Sequence, residues 1–274
     1  MQRHGKRRQW RQGQGVDGLS ALAGLLVGIV VGMTGVGGGS LMSPILILLF
    51  GVSPATAVGT DLFFAAITKA VGGAIHHRHD NADWQVARRL WLGSIPATIL
   101  TLWWLWAHHA RAESGGVIVT VLGVALVLSA LLTPFRGAIA RKAARVEAVR
   151  AASYARIQPA LTVAAGALLG TLITLTSVGA GALGASLLLL LYPFRLTPKR
   201  LVGTDILHAV PVALVGGIGH ATMGNIDLGL LGALLLGSIP GIALGSTLAA
   251  RVSDRVVAPA LAIVLLIVGV RLLL

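Results

Sequence analysis

The sequence predicts an all-α polytopic membrane protein made of two homologous repeats. Three observations carry that expectation. Of the 274 residues, 55% are apolar and only 11% charged, with a mean hydropathy of +0.86; a soluble chain is about a quarter charged. Apolar runs long enough for most or all of a bilayer crossing recur along the chain. The chain is also written twice. "LGSIP" at 92–96 returns at 236–240 and "VGTD" at 58–61 returns at 202–205, both at an offset of 144.

That offset also maps Pro54 onto Pro198, Gly72-Gly73 onto Gly216-Gly217, His76 onto His220, and Asn81 and Asp83 onto Asn225 and Asp227. A second offset, 142, aligns "MTGVGGGS" (33–40) with "LTSVGAGA" (175–182), and with them Gly24 and Gly28 with Gly166 and Gly170. Small residues every fourth position, such as Gly24, Gly28 and Gly32, let two helix backbones approach closely in a membrane.

Taken in order, residues 1–17 form a basic tail carrying Arg3, Lys6, Arg7, Arg8 and Arg11. With 19–33 it resembles a signal peptide, but no small-residue cleavage pattern precedes the glycine stretch, so the segment is read as retained. The first repeat, 18–133, holds a glycine-interrupted pair of short apolar segments (18–33 and 40–51) followed by helices at 54–75, 88–108 and 115–133. A basic, Ala-rich linker, 134–158, reads either as a helix on the membrane surface or as a solvated loop. The second repeat, 159–274, has its split pair at 159–175 and 182–193, then helices at 198–219, 228–250 and 256–274. Ser53-Pro54 and Thr197-Pro198 have the form of an N-cap followed by a first-turn proline.

Charge bias at matched loops predicts that the repeats are inverted. Loop 76–89 holds Arg78, Arg88 and Arg89 where 220–232 has no Lys or Arg; loop 51–56 has none where 194–200 has Arg195, Lys199 and Arg200. The linker then belongs in the cytoplasm, provided each split pair enters and leaves on one side. That scheme puts the basic tail outside, against the positive-inside rule, so absolute orientation stays open.

Several function classes are excluded or disfavoured. The net charge of +13 is concentrated in the tail and the linker, as basic loops facing anionic lipid require, and does not indicate nucleic acid. There is no cysteine for disulfides or thiolate chemistry. There is no Walker motif and no Gly-x-Ser-Gly protease signature, and the "HHRHD" cluster has no matched spacing in the other repeat. No enzyme activity, cofactor or metal site is expected.

Ionisable residues inside the spans are the functional candidates. Asp61 and Asp205 lie two turns into their helices, too deep for ordinary caps. They either accept hydrogen bonds from the neighbouring glycine loops or bind substrate or a proton. Lys69 has no cationic counterpart at Ala213; it snorkels, pairs with a carboxylate, or supplies charge to an anion. His208 shares a helix face with Asp205 and either bridges helices or meets substrate. His76 and His220, at helix ends, are expected at the interface.

Two glycine clusters, each followed by an apolar run, "SP" or "TP", a Thr-Asp pair and "HxxxxNxD…LGSIP", resemble the sulfite exporter TauE/SafE family, also called the toluene sulfonate uptake permease family, over about residues 18–274. The resemblance implies a bacterial inner-membrane secondary transporter of small anions, typically sulfur oxyanions or sulfonates such as sulfite and sulfoacetate, with proton coupling. It places the motif at Thr34, Gly35, Gly37, Gly38, Gly39, Ser40, Thr60 and Asp61, matched by Thr176, Ser177, Gly179, Gly181, Thr204 and Asp205. Half-helix N-termini suit anions on physical grounds as well, and broken backbone is tolerated at membrane depth only where it is buried or lines a cavity. The expected partners are a small anion and the bilayer, with a homodimer left open. The rival expectations are a non-transporting membrane partner or sensor subunit and a passive anion channel.

Overall fold

The computed structural model describes residues 18–34, 39–76, 82–108, 114–149, 151–179, 181–249 and 254–274. These form eleven α-helices and no strand among the described residues: α1 (Gly18–Thr34), α2 (Gly39–Leu48), α3 (Pro54–His76), α4 (Trp84–His108), α5 (Ser114–Leu132), α6 (Arg136–Val149), α7 (Ala151–Thr176), α8 (Ala182–Leu191), α9 (Pro198–Thr222), α10 (Leu228–Ala249) and α11 (Asp254–Leu273). Five of them (α4, α5, α7, α9 and α10) are long and apolar enough to cross a membrane. Large apolar side chains such as Leu100, Trp103, Leu236 and Ile267 stand exposed on the outside of the bundle, where lipid replaces water as solvent.

The expected helix starts are present. Ser53 and Thr197 accept hydrogen bonds from the backbone N–H of Thr56 and Arg200, and Pro198 fills the first turn of α9. Two further caps belong to the matched residues Asp83 and Asp227, which accept from the N–H of Val86 and Leu230 and so start α4 and α10. From Arg136 on, the described residues of the basic linker are helical. They supply α6, laid against α8, and the first two turns of α7.

Matched positions make matched contacts. Helix α1 packs on α10 and α7 packs on α4, each through a glycine stripe. A Cβ on Gly24 would lie 2.2 Å from the Leu234 carbonyl oxygen, and one on Gly166 2.2 Å from that of Leu90. For Gly28 against Ser238 and Gly170 against Ser94 the distance is 2.4 Å in both cases. Only glycine allows backbones this close, and close backbones are how membrane helices gain packing energy without a hydrophobic driving force. Across the centre, α3 and α9 cross antiparallel. Leu62 and Phe63, early in α3, meet Gly216 and Gly217, late in α9, whereas Lys69 reaches back to Asp205.

The threonines of the two "VGTD" segments lock this crossing. Thr60 Oγ1 accepts the backbone N–H of Asp227 at 3.0 Å, and Thr204 Oγ1 accepts that of Asp83 at 2.9 Å. Each repeat thereby ties down the loop that starts the other repeat's helix. Helix α8 turns back along α7: Tyr154 and Gln158 donate to the last carbonyls of α8, and the Thr162 and Tyr192 hydroxyls hydrogen-bond at 2.7 Å. The second split pair therefore begins and ends on one face.

Candidate functional site

The site is built where the second break meets the α3–α9 crossing. Helix α7 stops because Thr176 turns its hydroxyl onto its own chain, donating to the Leu172 carbonyl and accepting the Val178 N–H. Ser177 then adopts a left-handed conformation (φ 58°), and Gly179 and Gly181 have φ of 141° and 118°, which side chains rarely tolerate. Gly181 is the N-cap of α8 and offers no side chain to its first amides, so the positive end of that helix is left to other partners.

Asp205 is one such partner. Its Oδ1 accepts the Gly181 N–H at 3.2 Å and its Oδ2 accepts Lys69 Nζ at 2.8 Å, with both side chains buried. The carboxylate lies so close to Gly184 that a Cβ there would come within 2.7 Å of Oδ1. Of the options open for Lys69, pairing with a carboxylate is the one the structure contains. His208, also buried, hydrogen-bonds Ser94 of α4 at 3.1 Å, while Trp91 Nε1 donates to its backbone carbonyl.

Asp61, the matched carboxylate, is fully buried on α3 and accepts the N–H and the hydroxyl of Ser43 in α2 through Oδ2. Both aspartates thus accept a backbone amide of the adjoining half-helix, Asp205 that of Gly181 at the N-cap of α8 and Asp61 that of Ser43, the fifth residue of α2. Asp61 has no cationic partner among the described residues. The Ser177 hydroxyl adjoins its carboxylate, yet neither Ser177 Oγ nor Asp61 Oδ1 completes a hydrogen bond of regular geometry.

A second cation comes from the linker. Arg136, the first residue of α6, extends Nη2 to 3.5 Å from the Gly181 carbonyl, and its Nε is enclosed without a partner. Burial lowers the proton affinity of this guanidinium from its ordinary value, and the nearby charge of Asp205 acts against that.

Among the motif residues, Thr176, Ser177, Gly179, Gly181 and Asp205 come together with Lys69 at this place. Asp61 joins through Ser177, and His208 is close enough to feel the charges of Asp205 and Lys69. Thr60 and Thr204 brace loops of the opposite repeat rather than the glycine breaks. Ser40 is buried in the first turn of α2. Gly35, Gly37 and Gly38 lie outside the described residues, as do the surroundings of Thr34 and Gly39 and most of "HHRHD". His220 is buried instead of facing the membrane interface, and its Nε2 donates to the Thr174 carbonyl at 3.0 Å. Sequence reasoning missed Ser43, whose matched residue is Ala185, and Arg136, hidden among linker charges that looked generic.

The model of the family described as "Sulfite exporter TauE/SafE" matches residues 20–272. The chain belongs to the TauE/SafE family. It is similar to the probable membrane transporter protein YjnA of Bacillus subtilis (strain 168), 38% identical over 92% of this chain and 98% of that one. It also resembles the probable membrane transporter protein YdhB of the same organism, 30% identical over 78% of this chain and 82% of the relative. No solved structure matches. This TauE/SafE chain is a multi-pass membrane transporter.

Proposed function

We propose that this transporter is a secondary carrier of a small anion, a sulfur oxyanion or organosulfonate such as sulfite or sulfoacetate, working by alternating access in the bacterial inner membrane. The observation that carries the reading is the break at 177–181. There a helix N-terminus without a side-chain cap stands beside Lys69, deep in an apolar bundle. Amide N–H groups, a helix dipole and an ammonium group together suit an oxyanion. The family description supports a sulfur oxyanion as cargo.

The matched contacts of the halves and the antiparallel α3–α9 crossing support inverted repeats that rock against each other around a central site. Asp61 is the group suited to exchange a proton, since Asp205 is already engaged by Lys69 and Gly181. The carrier performs no covalent chemistry.

A thermal-shift screen of sulfite, sulfoacetate, taurine, sulfate and thiosulfate on the purified protein tests the reading, because a specific ligand stabilises by mass action. The stabilising anion is then followed into proteoliposomes, where saturable flux is expected. Conductance without saturation would make the protein a channel. An absence of both flux and stabilisation would make it a partner or sensor subunit.

A further inference from the structure

We infer that Arg136, carried by the linker helix α6 and belonging to neither repeat, is a direct anion ligand that completes the site at the second break. The inference rests on the reading of the protein as an anion carrier and adds to it a residue that the duplicated architecture does not supply.

Three observations support it. A guanidinium has five N–H donors in a rigid fork, and partly enclosed donors ordinarily find acceptors. Arg136 has only a long contact, 3.5 Å to the Gly181 carbonyl, and its Nε is enclosed with no acceptor. Asp205, the nearest source of compensating charge, has one oxygen on Lys69 and the other on the Gly181 amide, and Arg136 forms no ion pair among the described residues. Meanwhile Ser177 Oγ, in a residue 5% exposed within the same break, adjoins the Asp61 carboxylate but completes no hydrogen bond of regular geometry.

The electrostatics point the same way. Helix α6 begins at Arg136 and α8 begins at Ala182, and the two helices pack against each other. A cation at a helix N-terminus is unfavourable by itself, since the dipole there is already positive. Placing Arg136 at the start of α6 and against the start of α8 gathers positive potential. Of the two carboxylates at the site, Asp205 is already paired with Lys69, while Asp61 adjoins Ser177 and pairs with no cation among the described residues. A tetrahedral or pyramidal oxyanion accepting two N–H bonds from the fork and one from Ser177 satisfies each of these groups together. Lysine would serve such a ligand less well, because it offers a point charge instead of a planar fork.

The test uses the full-length protein and, as probe, whichever of sulfite, thiosulfate and sulfoacetate most stabilises the unaltered chain. Arg136→Gln is expected to weaken binding by on the order of 30-fold or more. Arg136→Lys is expected to fall between the two, and Lys142→Gln, an exposed change on the same helix, to leave affinity unchanged. Melting temperature without anion is measured in parallel. If Arg136→Gln or Arg136→Lys melts lower but binds as tightly as the unaltered chain, Arg136 only holds α6 against α8 and the inference is overturned while the carrier reading stands. An equal loss in Lys142→Gln overturns it too, by reducing the effect to general linker charge. If Arg136→Gln does not fold, Arg136→Lys decides alone, undiminished affinity counting against the ligand role. An unaltered protein that binds and moves none of the probes removes the carrier reading and the inference together.

Discussion

Asp61 and Asp205 occupy matched places in the two halves, and each accepts a backbone amide of the adjoining half-helix, Asp205 at the N-cap of α8 and Asp61 one turn into α2. Their second partners differ. Asp205 faces an ammonium group from the opposite repeat, whereas Asp61 has the Ser43 hydroxyl and an oxygen left over. The two halves thus share a scaffold and its carboxylates but differ in chemistry at Lys69 and Ser43, whose matched residues are Ala213 and Ala185. The glycine stripes are alike in both halves, and a backbone contact at 2.4 Å from a notional Cβ leaves no room for a larger residue in either. Packing preserves the symmetry; the site breaks it.

The largest test of that contrast is Lys69→Met. It strands a buried carboxylate, and removing one partner of such a pair costs about 3–5 kcal/mol. Thermal unfolding in detergent should drop accordingly, and adding Asp205→Asn should restore most of the loss without restoring flux. A double variant no more stable than Lys69→Met alone would mean that Lys69 contributes through packing. Next in size come Gly28→Val and Gly170→Val, each expected to cost about 1–3 kcal/mol or more through overpacking. The two values should agree. Unequal losses would show that the matched interfaces are not energetically equivalent.

Smaller still is the stability effect of Asp61→Asn, about 1 kcal/mol or less, because the amide retains an acceptor for Ser43. Its functional effect should be plain: flux in proteoliposomes ceases to follow an imposed proton gradient. Continued dependence on that gradient would move the proton to another group. The smallest effect belongs to Arg195, whose guanidinium holds Asp83 at 2.6 and 2.9 Å but is 39% exposed. Burial acts to raise the Asp83 carboxyl, yet Arg195 and the Val86 N–H hold it below the ordinary carboxylate value. The pair's contribution is therefore complete above the ordinary carboxylate pKa and vanishes as pH falls through the lower, folded value. Arg195→Gln should cost about 0–1 kcal/mol at neutral pH, and its melting curve should converge with that of the unaltered chain in acid. Curves that stay parallel would assign the difference to something other than this pair.

Much of the scaffold was legible because its signals are periodic or repeated. Glycine at every fourth position predicted close backbones, and two offsets predicted which residues would be equivalents. The role of "VGTD" was legible only by half. Repetition flagged Thr60 and Thr204, but nothing local said that each would hold a loop 167 or 121 residues away. The site was harder for a related reason. Its distinguishing residues, Ser43, Lys69 and Arg136, are those without a copy, so a search built on repetition passes over them or finds them unexplained. Arg136 had a further disguise, since a basic linker is what topology rules require whether or not one of its arginines turns inward.

The glycine stripes also set a timetable for assembly. Gly166 meets Leu90, about 76 residues earlier, so at 5–20 residues per second the α4–α7 interface can close roughly 4–15 s after its first half is made. Gly24 waits for Leu234, about 210 residues later, which is roughly 10–40 s. For that interval α1 sits in the insertion machinery or in lipid with its notched face unfilled. A chain that stalls between α9 and α10 would leave that face open to lipid.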